Sequence, residues 1–110
     1  MDIIENIKGS IIQHGQHNNR IYLMRLNTDN THSLIAILDD MALRNGYGKI
    51  FAKISAPAWN AFKSADYIKE AVVPGFFTGK TDGFFIAKYF SSRRQKEQNL
   101  KKLLRFVKQA

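Results

Sequence analysis

The chain has no cysteine, only two prolines, and no apolar run approaching the roughly 18 residues that a membrane-crossing helix needs. Without cysteine there is neither a disulfide framework nor a thiolate metal site, and a reducing compartment is permitted. The opening "MDIIENIKGS" carries Asp2 and Glu5 where a secretory signal would carry basic residues. These absences together lead to the expectation of a soluble, cytoplasmic protein with no membrane partner. Length is limiting as well, because 110 residues give one compact domain and leave no room for a second of ordinary size.

Acidic residues are scarce, 9 against 17 Lys and Arg, for a net charge of +8. Such an excess suggests a nucleic-acid or other anionic partner, but its location matters. Residues 91–110 hold Arg93, Arg94, Lys96, Lys101, Lys102, Arg105 and Lys108 against Glu97 alone, so they account for +6 of the +8. The sequence therefore divides into a body, residues 1–90, of ordinary charge and a basic tail, 91–110. The tail places Leu100, Leu103, Leu104 and Val107 on one helical stripe. It fits a helix docked on the body, a connector to a following domain, or an arm for nucleic acid or membrane, and its stripe is too small for it to fold alone.

Within the body, "PGFFTGKTDGFFIAKYF" (74–90) has a Gly-Lys-Thr that invites comparison with a nucleotide-binding loop. That loop needs four residues between its first Gly and its Gly-Lys-Thr and must open into a helix, so that successive N–H groups surround the phosphates. Gly75 and Gly79 leave three, and the turn dipeptide Asp82-Gly83 leads into aromatic "FFIAKYF", which favours a strand. The segment is read as a hairpin whose turn is the Gly-Lys-Thr, and Lys80 is not a nucleotide ligand.

"SIIQH" (10–14) and "RIYLMRL" (20–26), separated by "GQHNN", predict a first hairpin. "NTDNTH" offers N-caps to a helix over 31–45, with Leu34, Ile35, Leu38, Met41 and Ala42 at helical spacing and Asn45-Gly46 as the stop. "KIFAKI" (49–54) is a strand. Ser55 and Pro57 start a second helix, 57–65, with Trp59 and Phe62 on one face, and "YIKEAVVP" is a strand ended by Pro74. The fold expected is α/β, a mixed five-stranded sheet with two packed helices, plus the C-terminal helix.

Chemistry-bearing residues are few. His14, His17 and His32 follow no ligand spacing, so no metal is expected. Asp39 and Asp40, neighbours on a helix, point about 100° apart and read as a solvated face. Glu70 interrupts a strand and is expected to face outward. No Ser-His-Asp or Cys-His order can be assembled, which leaves the catalytic residues unknown. Phe76, Phe77, Phe84, Phe85, Tyr89 and Phe90 crowd one hairpin, where adjacent rings must point to opposite faces, so some enter a core and others need covering by a partner or ligand.

The order strand–helix–strand–helix–strand–strand from residue 20 onward resembles the second half of the GNAT-like acetyltransferase fold. The wording "IIQHG", "NNRIYLM", "YIKEA" and above all "VPGFFTGKTDGFFIAKYFS" is similar to the N-terminal domain of the β-lysine N-acetyltransferases, over about residues 2–94. Asp66-Tyr67 stands where such proteins commonly have Gly-Phe or Gly-Tyr. The resemblance implies acetyl-CoA-dependent acetylation of an amine in a full-length enzyme that makes a compatible solute. It also implies a downstream catalytic domain as partner and 91–110 as the connector helix. The family's coenzyme A loop, with its glycines, corresponds here to "LNTDNTHS", which has none, so no cofactor is expected on this chain itself. On this reading residues 1–90 are an accessory half-domain beside the amine substrate, with Phe76, Phe77, Lys80 and Asp82 the substrate-side contacts. A homodimer that covers the aromatic hairpin is a further possibility. The rival reading is a small stand-alone module whose basic tail binds nucleic acid.

Overall fold

A computed structural model describes residues 2–90, and the expected connector helix over 91–110 lies outside the described residues. Six strands form one sheet: β1 Ile3–Ile7, β2 Ser10–Gly15, β3 Arg20–Arg25, β4 Lys49–Ser55, β5 Ile68–Phe77 and β6 Thr81–Tyr89. Their spatial order is β1-β2-β3-β4-β6-β5. Helix α1, Thr31–Asn45, joins β3 to β4, which run parallel. Helix α2, Trp59–Ser64, carries the chain from β4 to β5, and β6 fills the gap antiparallel to both. The sheet is mixed, as expected, but has six strands rather than five.

The additional strand is β1. Lys8 and Gly9, with φ of 52° and 86°, form the tight turn that folds it back on β2 in register from Ile3↔His14 to Ile7↔Ser10. As an edge strand it buries little, and Ile3 and Ile4 stay exposed, so it lacks the alternation by which half-buried strands are read. The other edge differs in length. β5 continues through Pro74 to Phe77 instead of ending there, because an edge strand does not need every N–H for its ladder. A register irregularity between Val73 and Phe77 accommodates the proline.

Alternation along the inner strands fixes the layers. Ile12, Ile21, Leu23, Ile50, Ala52, Ile54 and Ile86 point to one face, where they join Leu34, Ile35, Leu38 and Ala42 of α1 and Phe62 of α2 in a single core. Helix α1 ends at Gly46, whose left-handed φ of 67° lets the N–H of Tyr47 return to the Ala42 carbonyl at 3.0 Å. Asp66 also takes a left-handed φ, 72°, which accounts for the glycine that the resemblance places there.

Three acids weighed in the sequence, Asp39, Asp40 and Glu70, differ in their surroundings. Glu70 faces outward, as expected, where it accepts the Tyr89 hydroxyl at 2.7 Å. Asp40 is exposed and pairs with Arg44 at 2.8 Å, but Asp39 is not part of a solvated face. It accepts a hydrogen bond from Lys88 Nζ at 3.0 Å, tying α1 to β6, and its other oxygen is enclosed beside the core. No helix among the described residues is long and apolar enough to cross a membrane.

Candidate functional site

Parallel pairing of β3 with β4 runs from Arg20↔Lys49 to Leu23↔Ala52, yet β3 continues to Arg25 and β4 to Ser55. The strands part at their C-terminal ends, where α1 departs to one side. In open α/β sheets such a crevice, at the carboxyl end of neighbouring strands, is where ligands bind. Here it is a cleft of about 560 Å³, floored by Met24, Arg25 and Leu26 from β3 and its exit, and by Lys53, Ile54 and Ser55 from β4. Thr28 and Pro57 close one side and Phe77 and Thr81 the other.

The lining sets what the cleft can do. Arg25 and Lys53 supply positive charge, and Thr28, Ser55 and Thr81 supply hydroxyls, around an apolar floor. No carboxylate, imidazole or thiol is among the lining residues, so the walls have no group suited to take a proton from an amine near neutral pH.

A second hollow of about 470 Å³ lies at the start of α1, lined by residues 28–33 together with Ser55, Pro57, Ala58 and Ala61. A helix start holds a diphosphate when its leading N–H groups are free and no carboxylate competes. Here Asn27 Oδ1 accepts the Asp29 N–H at 3.0 Å, and the Asn27 carbonyl accepts the Asn30 N–H at 3.3 Å, closing a short 3-10 turn over Thr28–Asn30. The Asp29 side chain adds a negative charge within that turn. A diphosphate brought to this helix start would meet that carboxylate as like charge.

Of the four residues singled out in the sequence, Phe77 alone reaches the cleft. Phe76 packs edge-on to Phe77 and to Phe85, with its Cβ pressed over Gly83. Asp82 accepts the Gly75 N–H at 3.0 Å and so holds the irregular part of β5. Lys80 is exposed at the hairpin turn, where its own N–H bonds the Phe77 carbonyl at 3.2 Å and the Gly79 N–H bonds the Gly75 carbonyl at 2.9 Å. Both amides of the Gly-Lys pair are thereby used within the turn. Thr78 and Gly79, with φ of 56° and 70°, give the two left-handed residues that a tight hairpin turn requires.

Arg25, Lys53, Met24 and Ser55 were missed as candidates. The signal was present in the strand–helix–strand order, since a parallel pair marks its own carboxyl ends as the place to look. Among the histidines, His14 is held on the sheet, with Nδ1 2.9 Å from the Tyr47 hydroxyl and Nε2 3.2 Å from Glu5. Burial, with the nearby Asp2 and Glu5 carboxylates, raises the Tyr47 pKa. Among the described residues no three His, Asp or Glu gather as a metal site would require.

No family model matches the chain. By sequence it is 33% identical over 95 residues to the β-lysine N(6)-acetyltransferase of Methanococcus maripaludis, a match that takes in 86% of this chain and 34% of that protein. The chain thus spans about a third of the length of the curated relative it matches. By structure it is similar to the ribosomal-protein-S18-alanine N-acetyltransferase from Escherichia coli, with a TM-score of 0.60 at 16% identity, over 74% of this chain and 60% of that one. It is also similar to a chain of the NatC complex bound to Gag peptide and CoA, with a TM-score of 0.56 at 15% identity, over 80% and 69%. Nourseothricin acetyltransferase gives 0.54 at 12% identity, over 73% and 55%. Together the structural matches show that the described residues share part of the fold of these acetyltransferases.

Proposed function

We propose that this partial domain is the accessory portion of a larger, cytoplasmic β-lysine N-acetyltransferase that makes a compatible solute. The observation that carries the proposal is the 33% identity over 95 residues to a β-lysine N(6)-acetyltransferase of which this chain spans 34%. The cleft agrees with it. Its walls offer Arg25, Lys53, Phe77 and three hydroxyls for contact but no proton acceptor, and the turn ahead of α1 is occupied by Asn27 and Asp29. In this reading acetyl-CoA and the catalytic groups belong to a downstream domain, the partner of residues 1–90. The aromatic hairpin with Phe76, Phe77, Lys80 and Asp82 borders the amine substrate on the accessory side.

A chimera tests this directly. Residues 1–90 grafted in place of the matching segment of the Methanococcus maripaludis enzyme should preserve acetylation of β-lysine, while deletion of that segment should abolish it. The 110-residue chain alone, given acetyl-CoA and β-lysine, should yield no acetylated product by mass spectrometry. Turnover by the isolated chain, or a chimera that folds but does not acetylate, would overturn the proposal.

A further inference from the structure

The face of the sheet opposite the helices carries a continuous row of aromatic rings. Strand register sets Arg20, Lys49 and Tyr89 side by side, then Tyr22, Phe51 and Ala87, then Lys53 and Phe85, all on this face. The ring centroids follow one another at 5.2 Å from Tyr22 to Phe51 and 5.9 Å from Phe51 to Phe85. The row continues at 5.9 Å to Phe76 and 5.1 Å to Phe77. It crosses from β3 to β5, a distance of about 14 Å at ordinary strand spacing, which is enough for one helix of about 10 Å diameter to lie on. Both described helices pack on the other face, so among the described residues no helix covers the row.

The nature of the occupant follows from charge and ring orientation. Arg20 sits 5.9 Å from the Tyr22 centroid, Lys49 5.2 Å from Phe51, and Lys53 5.2 Å from Phe76. Three cations thus border the row, and Glu70, a carboxylate on this face, is held by Tyr89 at 2.7 Å with Lys49 at 3.9 Å. A second copy would bring the same three cations, and residues 91–110 would bring seven against one acid, so both meet like charge. Single-stranded nucleic acid supplies the right sign but needs free ring faces for its bases. Here Phe51 and Phe85 turn their faces to one another, 18° from parallel, and cations already lie over Tyr22, Phe51, Phe76 and Tyr89.

We infer that this face docks an amphipathic helix whose apolar stripe lies on the Tyr22–Phe51–Phe85–Phe76 row and whose flanking carboxylates meet Arg20, Lys49 and Lys53. The inference rests on the geometry and charge of the face and does not depend on the acetyltransferase reading. Cation–carboxylate pairs at the rim would fix the direction of the helix, while the aromatic row supplies the buried area.

The test uses the 110-residue chain and labelled synthetic helices of roughly 20 residues, long enough to hold helical structure. One has leucines at i, i+3, i+4 and i+7 with glutamate flanks, a second has the same leucines with lysine flanks, and a third is residues 91–110. The glutamate-flanked helix should bind, and about tenfold more weakly to an Arg20→Glu/Lys53→Glu variant, since two attractive rim pairs become repulsive. Circular dichroism verifies that the variant folds, and Phe51→Ala should weaken binding independently. The inference is overturned if the glutamate-flanked helix does not bind, if either basic helix binds as well, or if the charge variant binds unchanged. Oligothymidylate binding that depends on Phe51 would also overturn it, in favour of nucleic acid.

Discussion

Replacing Lys88 with Met keeps the length of the side chain and removes its charge, leaving the Asp39 carboxylate without its cation. The ammonium lies 3.0 Å from Asp39 Oδ2, and the two side chains are only 18% and 28% exposed. Lys88 also lies 5.3 Å from the Phe90 centroid and 5.9 Å from that of Tyr67. Removing one partner of a fully buried pair costs about 3–5 kcal/mol, whereas an exposed pair contributes about 0–1 kcal/mol. At this degree of exposure the loss from Lys88→Met should be about 2 kcal/mol, or roughly 10 °C in Tm for a domain of this size. Removing both charges is a different case. In Asp39→Leu/Lys88→Met no charge is stranded beside the core and α1 gains a better helix former, so the double variant should be more stable than Lys88→Met alone. Urea unfolding followed by Trp59 fluorescence and by circular dichroism measures all members of the cycle. A Lys88→Met loss below about 0.5 kcal/mol, or a double variant as unstable as the sum of the singles, would refute the reasoning that the pair is enclosed.

Other consequences are local. A Cβ built on Gly83 would lie 2.8 Å from Phe76 Cβ and 3.0 Å from two of its ring carbons, so Gly83→Ala must displace Phe76. The cost should be about 1–3 kcal/mol in urea unfolding, with a changed near-ultraviolet signal from the aromatic row, and an unperturbed variant would show the contact to be loose. Burial, reinforced by the Asp39 carboxylate, raises the Tyr67 pKa well above its usual 10. With the folded pKa raised, the unfolded chain releases its proton first. The stability that neutral Tyr67 contributes is therefore complete below pH 10 and declines above it, by at most about 1.4 kcal/mol per pH unit. Tyr67→Phe should flatten the fall in stability above pH 10, and a wild-type-to-variant difference that is constant with pH would contradict this. At neutral pH the same substitution should not destabilise, because the Tyr67 hydroxyl has no hydrogen-bond partner to lose among the described residues.

The elements that carry a clean period were legible in the sequence. Helix α1 shows its stripe and its Asn45-Gly46 stop, and β3 and β4 alternate, so the order of those elements and the parallel pair between them could be read directly. What escaped was set by position in the sheet. β1 sits at an edge where Ile3 and Ile4 need not alternate, and β5 can run through Pro74 because, among the described residues, it is the other edge strand. Asp39 looked solvated because its partner, Lys88, is 49 residues away. For the same reason the cleft was only half visible. Phe77 belongs to the conspicuous hairpin, while Arg25 and Lys53 sit on strands that meet only after α1 has crossed over. Asp82, a candidate contact by sequence, proves to hold the Gly75 N–H within the hairpin.

Calorimetric titration of the 110-residue chain with acetyl-CoA, at salt high enough to suppress non-specific binding to the basic tail, is the most direct measurement. If the domain is an accessory portion whose α1 turn is closed by Asn27 and Asp29, no one-site heat of binding will be seen. A tight one-site isotherm would mean that the turn opens to take the diphosphate and that the coenzyme belongs to this chain after all.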